Sequence, residues 1–469
     1  MLESNEKNDN IEMITGDPKK AIRKLSLPMI LSMFLITLYN LADSIWVAGL
    51  GPDALAAIGF IAPMYMILVG LGNGIGAGAN SLIARYIGAE NYKEANNAGL
   101  HGIFLSIVVS VLFTVIILFT ITPILELMGA GDSIKYAEDY AYIVFGFLFV
   151  FVFSSVLSAI FRSEGDMKRA TIAIAITSII NIIIDPIFIY YFNLGIAGAA
   201  WATVLSGAIS VIVMCYWIWG KKDLFLDLNP KNFKYDSRIL IDTFQVAIPS
   251  TLENVIFSAF TILINSMLVI AAGTTAVAVY TAAIRITQVA ILPLIGIGTA
   301  VITVAGVSYG ARNPENLKIG HSYSIKLGLA ISIILGAIMV IFSNQMATIF
   351  SYTSASASLS TEIATALSVL SFFVIAVPHG MMSSMVFQGV GKGTNSLIIT
   401  LLRSLIFECI FAYLFCFTFG WGLVGIYVGV VFGCFLGGTV GYVWAKLFIR
   451  KFKEECGDDL SPDGIKYVI

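Results

Sequence analysis

The sequence predicts an all-α polytopic membrane protein, with twelve transmembrane helices in two pseudo-symmetric six-helix lobes. Three observations carry this expectation. Hydrophobic residues make up 58% of the 469 and charged residues only 12%, about half the charged share of a soluble domain. The charges sit in short clusters between apolar runs such as Ile103 to Phe119 and Thr171 to Tyr190, each near the ~20 residues that carry a helix across ~30 Å of hydrocarbon. Glycine-bearing motifs recur at an offset of about 220–230 residues. Lipid satisfies no open backbone group, so a spanning segment is a helix or part of a closed barrel. Period-two alternation is absent, which leaves helices.

Twelve apolar spans follow in order. The first six are Ile22–Val47, Leu55–Leu82, Leu100–Phe119, Ala137–Phe161, Thr171–Tyr190 and Ile196–Trp219. The second six are Ile239–Ile270, Val277–Val307, Ile325–Phe342, Ala364–Val386, Leu397–Phe417 and Trp421–Ile449. They divide the chain into a polar N-terminal tail (1–18), an N-lobe (19–220), a linker (221–238), a C-lobe (239–450) and a polar C-terminal tail (451–469). Basic residues crowd alternate loops: Lys19, Lys20, Arg23 and Lys24 before span 1, Arg162, Lys168 and Arg169 after span 4, and five Lys or Arg in the linker. The opposite loops carry only Lys135. That asymmetry predicts cytoplasmic termini and a cytoplasmic linker.

The repeat is parallel. Gly74-Ile-Gly76 precedes Gly88-Ala89-Glu90-Asn91 by the spacing that separates Gly296-Ile-Gly298 from Gly310-Ala311-Arg312-Asn313. Leu27-Pro28 answers Ile248-Pro249, and Gly195-Ile-Ala-Gly198 answers Gly422-Leu-Val-Gly425. Parallel repeats about an axis normal to the membrane are a habit of transporters.

Several function classes lose support. A net charge of −2 argues against a nucleic-acid partner. The tail from Met1 to Asp17 has no apolar core, so it is not expected to act as a cleaved signal peptide. Cys215, Cys409, Cys416 and Cys434 lie singly inside apolar runs and read as small apolar fillers. His101, His321 and His379 form no ligand cluster, so no metal or cofactor is expected beyond a transported ion. Gly391-Lys392 resembles the tail of a phosphate-binding loop, but Gly393 stands where Ser or Thr is needed. A membrane-embedded enzyme would need a clustered acid, base or metal constellation, and none is legible. The stretch Gly72 to Gly78 continues a helical pattern and reads as close helix packing.

Ionisable residues inside spans are functional hypotheses by default. Asp43 lies toward the outer end of span 1 and Asp185 in the outer half of span 5. Asn181 stands one turn before Asp185, on the same face. Pro186 lacks an N–H, and its ring pushes away the carbonyl of Ile182. Carboxylate, amide oxygen and bare carbonyl together suit a hard cation or a proton; a plain helix-capping role is the alternative. Glu253 in span 7 and Arg285 in span 8 reach similar depths, so they are read either as a structural ion pair or, for Glu253, as a second coupling site. Arg403 near the start of span 11 is a snorkelling candidate. Met33, Phe34, Phe60, Met64 and Tyr65 offer an adaptable pocket for apolar drugs, or ordinary bundle packing.

The motifs resemble a known family. Asp43-Ser-Ile-Trp-Val-Ala-Gly-Leu-Gly-Pro-Asp-Ala-Leu-Ala-Ala57 is similar to the first-helix signature of the multidrug and toxic compound extrusion (MATE) transporters. Asn181-Ile-Ile-Ile-Asp-Pro-Ile-Phe-Ile-Tyr190, followed by Gly195 to Thr203, resembles their helix 5–6 signature. The resemblance runs from about Gly16 to Arg450. It implies two six-helix lobes and export of amphipathic, often cationic, compounds in exchange for H⁺ or Na⁺. By that resemblance Asp43, Asn181, Asp185 and Thr203 form the cation site, Pro28 is a helix-1 bending proline, and Tyr140 and Ser158 extend the polar network. Phe257 stands where the NorM-like branch carries a glutamate, so the chain is more similar to the DinF-like branch. The expected protein is a monomeric plasma-membrane antiporter of small organic substrates, not an enzyme. A lipid-linked oligosaccharide flippase of the same superfamily is the alternative, and its candidate cations are only Arg285 and Arg403. A passive channel fits the asymmetric acidic residues less well.

Overall fold

A computed structural model of the chain describes residues 2–222, 224–349 and 359–458. Among them the secondary structure is helical throughout. Eleven helices are long and apolar enough to cross a membrane, and a twelfth span is a bent pair. In chain order the first half holds α1 (Leu2–Thr15), α2 (Pro18–Ala48), α3 (Pro52–Gly88), α4 (Tyr92–Leu127), α5 (Ile134–Gly146), α6 (Leu148–Ser163), α7 (Met167–Pro186) and α8 (Gly195–Cys215). The second holds α9 (Ser237–Ala272), α10 (Thr274–Gly310), α11 (Pro314–Ile341), α12 (Ser343–Thr348), α13 (Ser360–Gly389), α14 (Gly393–Thr400), α15 (Glu408–Tyr413) and α16 (Gly422–Asp458). π-helical turns extend α7 (Ile187–Tyr191), join α14 to α15 (Leu401–Phe407) and follow α15 (Leu414–Thr418).

One expectation needs correction. Span 4 is not one helix: α5 and α6 meet at 47°. Phe147 leaves the helical path at φ −106° and ψ 26°. The hydroxyl of Thr114 on α4 donates to the Phe145 carbonyl at the break, so the kink leaves that acceptor satisfied. The polar N-terminal segment forms the helix α1. In α1, Ile11 and Ile14 are buried, and Ile14 and Met13 lie over Gly165, whose φ of +81° turns the α6–α7 loop. The last part of the polar C-terminal tail, residues 459–469, lies outside the described residues.

The chain divides into two compact units over its described residues. One is Met1–Gly16 with Leu27–Thr251; the other is Asp17–Ser26 with Leu252–Ile469. The division therefore falls inside α2 and α9, next to Pro28 and Pro249, rather than in the linker. The packing gives the reason. In the first unit, Gly74 and Gly78 of α3 lie against Ala247, Thr251 and Thr243 of α9, while Gly72 and Gly76 lie against Ser155 and Ala159 of α6. Two glycine pairs spaced i, i+4 thus admit two neighbouring helices, as small residues do inside membranes. In the second unit, Pro18 and Ile22 of α2 reach Gly320 on α11, beside Val304 of α10.

Repeated motifs build repeated geometry. Asn91 caps α4 by accepting from the Glu94 N–H, and Asn313 caps α11 by accepting from the Asn316 N–H. The residues before them, Glu90 and Arg312, take left-handed φ values of 56° and 50°, a conformation that costs a side-chain-bearing residue roughly 1–2 kcal/mol.

Candidate functional site

The first unit collects Asp43, Asn181, Asp185, Thr203 and Tyr140. Asn181 and Asp185 have no solvent exposure, and Thr203 and Tyr140 are buried. The Asn181 amide nitrogen donates to Asp185 Oδ1 at 3.2 Å and to Thr203 Oγ1 at 3.3 Å. Thr203 spends its own proton on the Ala199 carbonyl, and the buried Tyr140 lies nearby. Asp43, on α2, lies within electrostatic reach of both Asp185 and Tyr140.

Three oxygens in this cluster are buried with no partner: Asp43 Oδ1, Asn181 Oδ1 and Asp185 Oδ2. Buried polar atoms are normally hydrogen-bonded, so each such atom calls for an explanation. Two carboxylates and one amide oxygen offer only acceptors. A proton or a hard cation satisfies them; a further acceptor or an anion does not.

The backbone of α7 holds this arrangement. Asn181 and Asp185 share a face at i, i+4 spacing. Past Pro186 the chain runs into the π-turn Ile187–Tyr191, a form common at functional sites. Tyr190 at that turn donates a 2.5 Å hydrogen bond to the Trp46 carbonyl in the last turn of α2. Gly49 leaves the room that the Tyr190 hydroxyl occupies. Deeper down, Ser32 of α2 meets Thr171 of α7 at 2.9 Å. The helices that carry Asp43 and Asp185 are thus joined above and below the acids.

Not every anticipated residue joins this cluster. The Ser158 hydroxyl donates to Met214 Sδ at 3.6 Å. Pro28 lies inside α2, and its carbonyl accepts from Ser32. Met33, Phe60 and Tyr65 are half-buried, Met64 is buried and Phe34 is exposed. Tyr65 has its hydroxyl 3.4 Å from that of Tyr39, and Asp43 acts electrostatically on both. Sequence reasoning missed Tyr39, although it stands four residues before Asp43 and so shares its face.

The expected Glu253–Arg285 ion pair does not form. Glu253 accepts from Ser396 Oγ at 2.6 Å and from Gln388 Nε2 at 3.2 and 3.3 Å, with Arg403 as its charged neighbour. Arg285 is exposed. Equal depth on adjacent helices does not fix which way two side chains point around their axes, and α13 and α14 supply nearer donors.

Outside the spans, Glu164 in the α6–α7 loop accepts from the N–H groups of Phe225 and Leu226 in the linker. Burial pushes its carboxyl up to about 8, against those two hydrogen bonds.

A family model, MatE, matches residues 28–187 and 249–414. The chain belongs to the MatE family. The matched stretches begin at Pro28 and Pro249, beside the points where the two units part. The multidrug export protein MepA of Staphylococcus haemolyticus is 28% identical over 306 residues, 64% of this chain and 67% of its own length. Among solved structures, an outward-facing multidrug resistance MATE family transporter of the MOP superfamily is 39% identical. It has a TM-score of 0.92 and covers 95% of this chain and 98% of its own. The same figures hold for a MOP superfamily transporter from Pyrococcus furiosus, for which a reverse polarity of the binding pocket suggests a different function. The MATE chain is therefore a membrane transporter of twelve spans in two lobes, not an enzyme.

Proposed function

We propose that this protein is a secondary active multidrug exporter, antiporting amphipathic or cationic organic compounds against H⁺ or Na⁺. The observation that carries this reading is the trio of unpartnered buried oxygens at Asp43, Asn181 and Asp185. Cation binding there neutralises buried charge and changes how α2 packs on α7, which biases the conformational equilibrium. Met33, Phe34, Phe60, Met64 and Tyr65 supply apolar contact for the drug. The reading includes a DinF-like type of coupling, a plasma-membrane location with cytoplasmic termini, and action as a monomer. The flippase reading is weaker, because Arg403, one of its two candidate cations, lies within electrostatic reach of two acids, Glu253 and Glu408.

The test is dye efflux from proteoliposomes under H⁺ and Na⁺ gradients imposed separately, without ATP. Export driven by either gradient supports the reading, and the effective gradient names the ion. An absolute requirement for added ATP overturns it.

A further inference from the structure

The first unit ties α2 to α7 on each side of the acids, and the two ties differ in burial. Ser32 meets Thr171 in the interior, where both are buried. Tyr190 donates to the Trp46 carbonyl in a bond open to the surroundings, and Tyr190 is 41% exposed. An exposed bond exchanges for water at small net cost, whereas a buried group left unpaired is expensive. The Tyr190–Trp46 contact is therefore the end of the α2–α7 pair that can open.

Local structure aims this contact at the acids. Trp46 stands three residues after Asp43, a neighbouring position on one helix face. Its carbonyl lies at the end of α2 and receives only a 3.2 Å bond from the Gly49 N–H, which leaves a lone pair for Tyr190. On α7, the wider π-turn Ile187–Tyr191 brings Tyr190 round toward the face that carries Asn181 and Asp185; five residues of regular α-helix would point it elsewhere. The Trp46 and Tyr190 rings pack edge to face, with centroids 6.4 Å apart and planes at 74°. A Cβ at Gly49 would lie 2.2 Å from the Tyr190 hydroxyl, so the glycine is the notch that admits it.

The repeat supplies a control inside the molecule. The π-turns Ile187–Tyr191 and Leu414–Thr418 are 227 residues apart, start for start and end for end. Phe192 N–H reaches the Ile187 carbonyl, and Phe419 N–H reaches the Leu414 carbonyl, in each case at 2.9 Å. Gly198 lies against the Phe188 carbonyl and Gly425 against that of Phe415, again 227 apart. In this register Phe417 takes the place of Tyr190, and Ala412 that of Asp185. On the first helices the offset is 221 at Pro28 and Pro249 and 222 at Gly51 and Gly273. By these offsets Asp43 corresponds to Ile264 or Asn265, and Gly49 to Ile270 or Ala271. The second unit thus keeps the π-turn but lacks the hydroxyl, the notch and both acids. The turn belongs to the fold, and the clasp goes with the acids.

Two ionised carboxylates repel, and a cation held between them reverses the force. Asp43 and Asp185 therefore push α2 and α7 apart when unloaded and draw them together when loaded, about one turn from the clasp. We propose that Tyr190 is a positioning residue of the cation site, given the coupling role proposed for Asp43 and Asp185: its bond to Trp46 holds the end of α2 on α7 while the ion is bound and opens to let the ion pass.

The test is dye efflux from proteoliposomes at graded H⁺ and, separately, Na⁺ gradients, analysed for the maximal rate and for the driving-ion concentration at half-maximum. Tyr190→Phe keeps the ring and removes one hydrogen bond, so it should raise the half-maximal concentration by about 3–10-fold, well beyond its effect on the maximal rate. Gly49→Ala fills the notch and should give the same shift. Gly59→Ala, whose Cβ meets nothing within 4 Å, should give none. Amide hydrogen exchange reads the clasp without transport: the ends of α2 and α7 should exchange about 3–10-fold faster in Tyr190→Phe and Gly49→Ala. If Tyr190 and Trp46 only anchor the chain at the membrane interface, the variants lower stability and maximal rate but leave the half-maximal concentration unchanged, which overturns the proposal. Unchanged hydrogen exchange in both variants also overturns it. Wild-type efflux that follows neither gradient overturns the coupling reading, and the proposal with it.

Discussion

The hairpins α7–α8 and α15–α16 share a backbone and differ in chemistry. Both interrupt their first helix with a π-turn at the same register, and both pack a glycine of the second helix onto the carbonyl that begins the way out of that turn. The side chains on this frame have diverged. Asn181, Asp185 and Thr203 correspond to Glu408, Ala412 and Val430, while Ala200 corresponds to Tyr427. One hairpin assembles oxygens from several residues around a shared space. The other buries a single acid, Glu408, one of whose oxygens has no hydrogen-bond partner. A duplicated membrane fold thus keeps its backbone devices, because close helix approach tolerates few side chains. Its polar residues vary more freely, provided that each buried charge is compensated.

The largest expected effect would break this comparison at its functional end. Asp43→Asn and Asp185→Asn should each reduce gradient-driven efflux to the level of empty liposomes, while the protein still inserts and folds. On the proposed coupling role, each substitution removes a charge that the transported cation would neutralise. Full efflux by either variant would detach the first hairpin from coupling.

A second prediction concerns the corrected pairing of Glu253. Glu253→Gln replaces the carboxylate that accepts from Ser396 and Gln388 with a neutral amide and should lower stability in detergent by about 1–3 kcal/mol. Adding Arg285→Gln should change this by no more than about 0.5 kcal/mol, as expected of an exposed substitution. Thermal unfolding of the single and double variants measures both. Recovery of stability in the double variant would reinstate the ion pair.

The smallest effect sharpens the backbone half of the comparison. A Cβ at Gly198 would lie 2.6 Å from the Phe188 carbonyl carbon, and one at Gly425 would lie 2.7 Å from that of Phe415. Gly198→Ala and Gly425→Ala should therefore each cost about 1–3 kcal/mol by overpacking, and by similar amounts. Markedly unequal unfolding temperatures for the two variants would show that the hairpins are not equivalent.

Parts of the site were legible before any coordinates. The spacing of Asn181 and Asp185 fixes a shared helix face, and the recurrence of Gly88–Asn91 at Gly310–Asn313 anticipates two matching loops. Tyr39 was within reach of the same i, i+4 rule. The glycines at 425, 429, 433 and 437 of α16 also signalled a close neighbour in the sequence, and the structure puts the backbone of the π-turns and α15 against them. Glu408 is an acid inside an apolar run of the sequence, but that its Oε1 is buried without a hydrogen-bond partner is a fact of the fold.

What the sequence by itself determined is local or periodic: span number, the parallel repeat, and the residues that share a helix face. Helix geometry sets these within a turn or two, and the bilayer forces the helices. Tertiary structure alone decided the rest. It broke span 4 at Phe147, placed the division of the two units beside Pro28 and Pro249, and gave Glu253 to Ser396 and Gln388 rather than to Arg285. Each of these outcomes depends on how a helix is rotated about its axis against its neighbours. That rotation is set by the sum of many packing contacts distant in sequence, which no local pattern encodes.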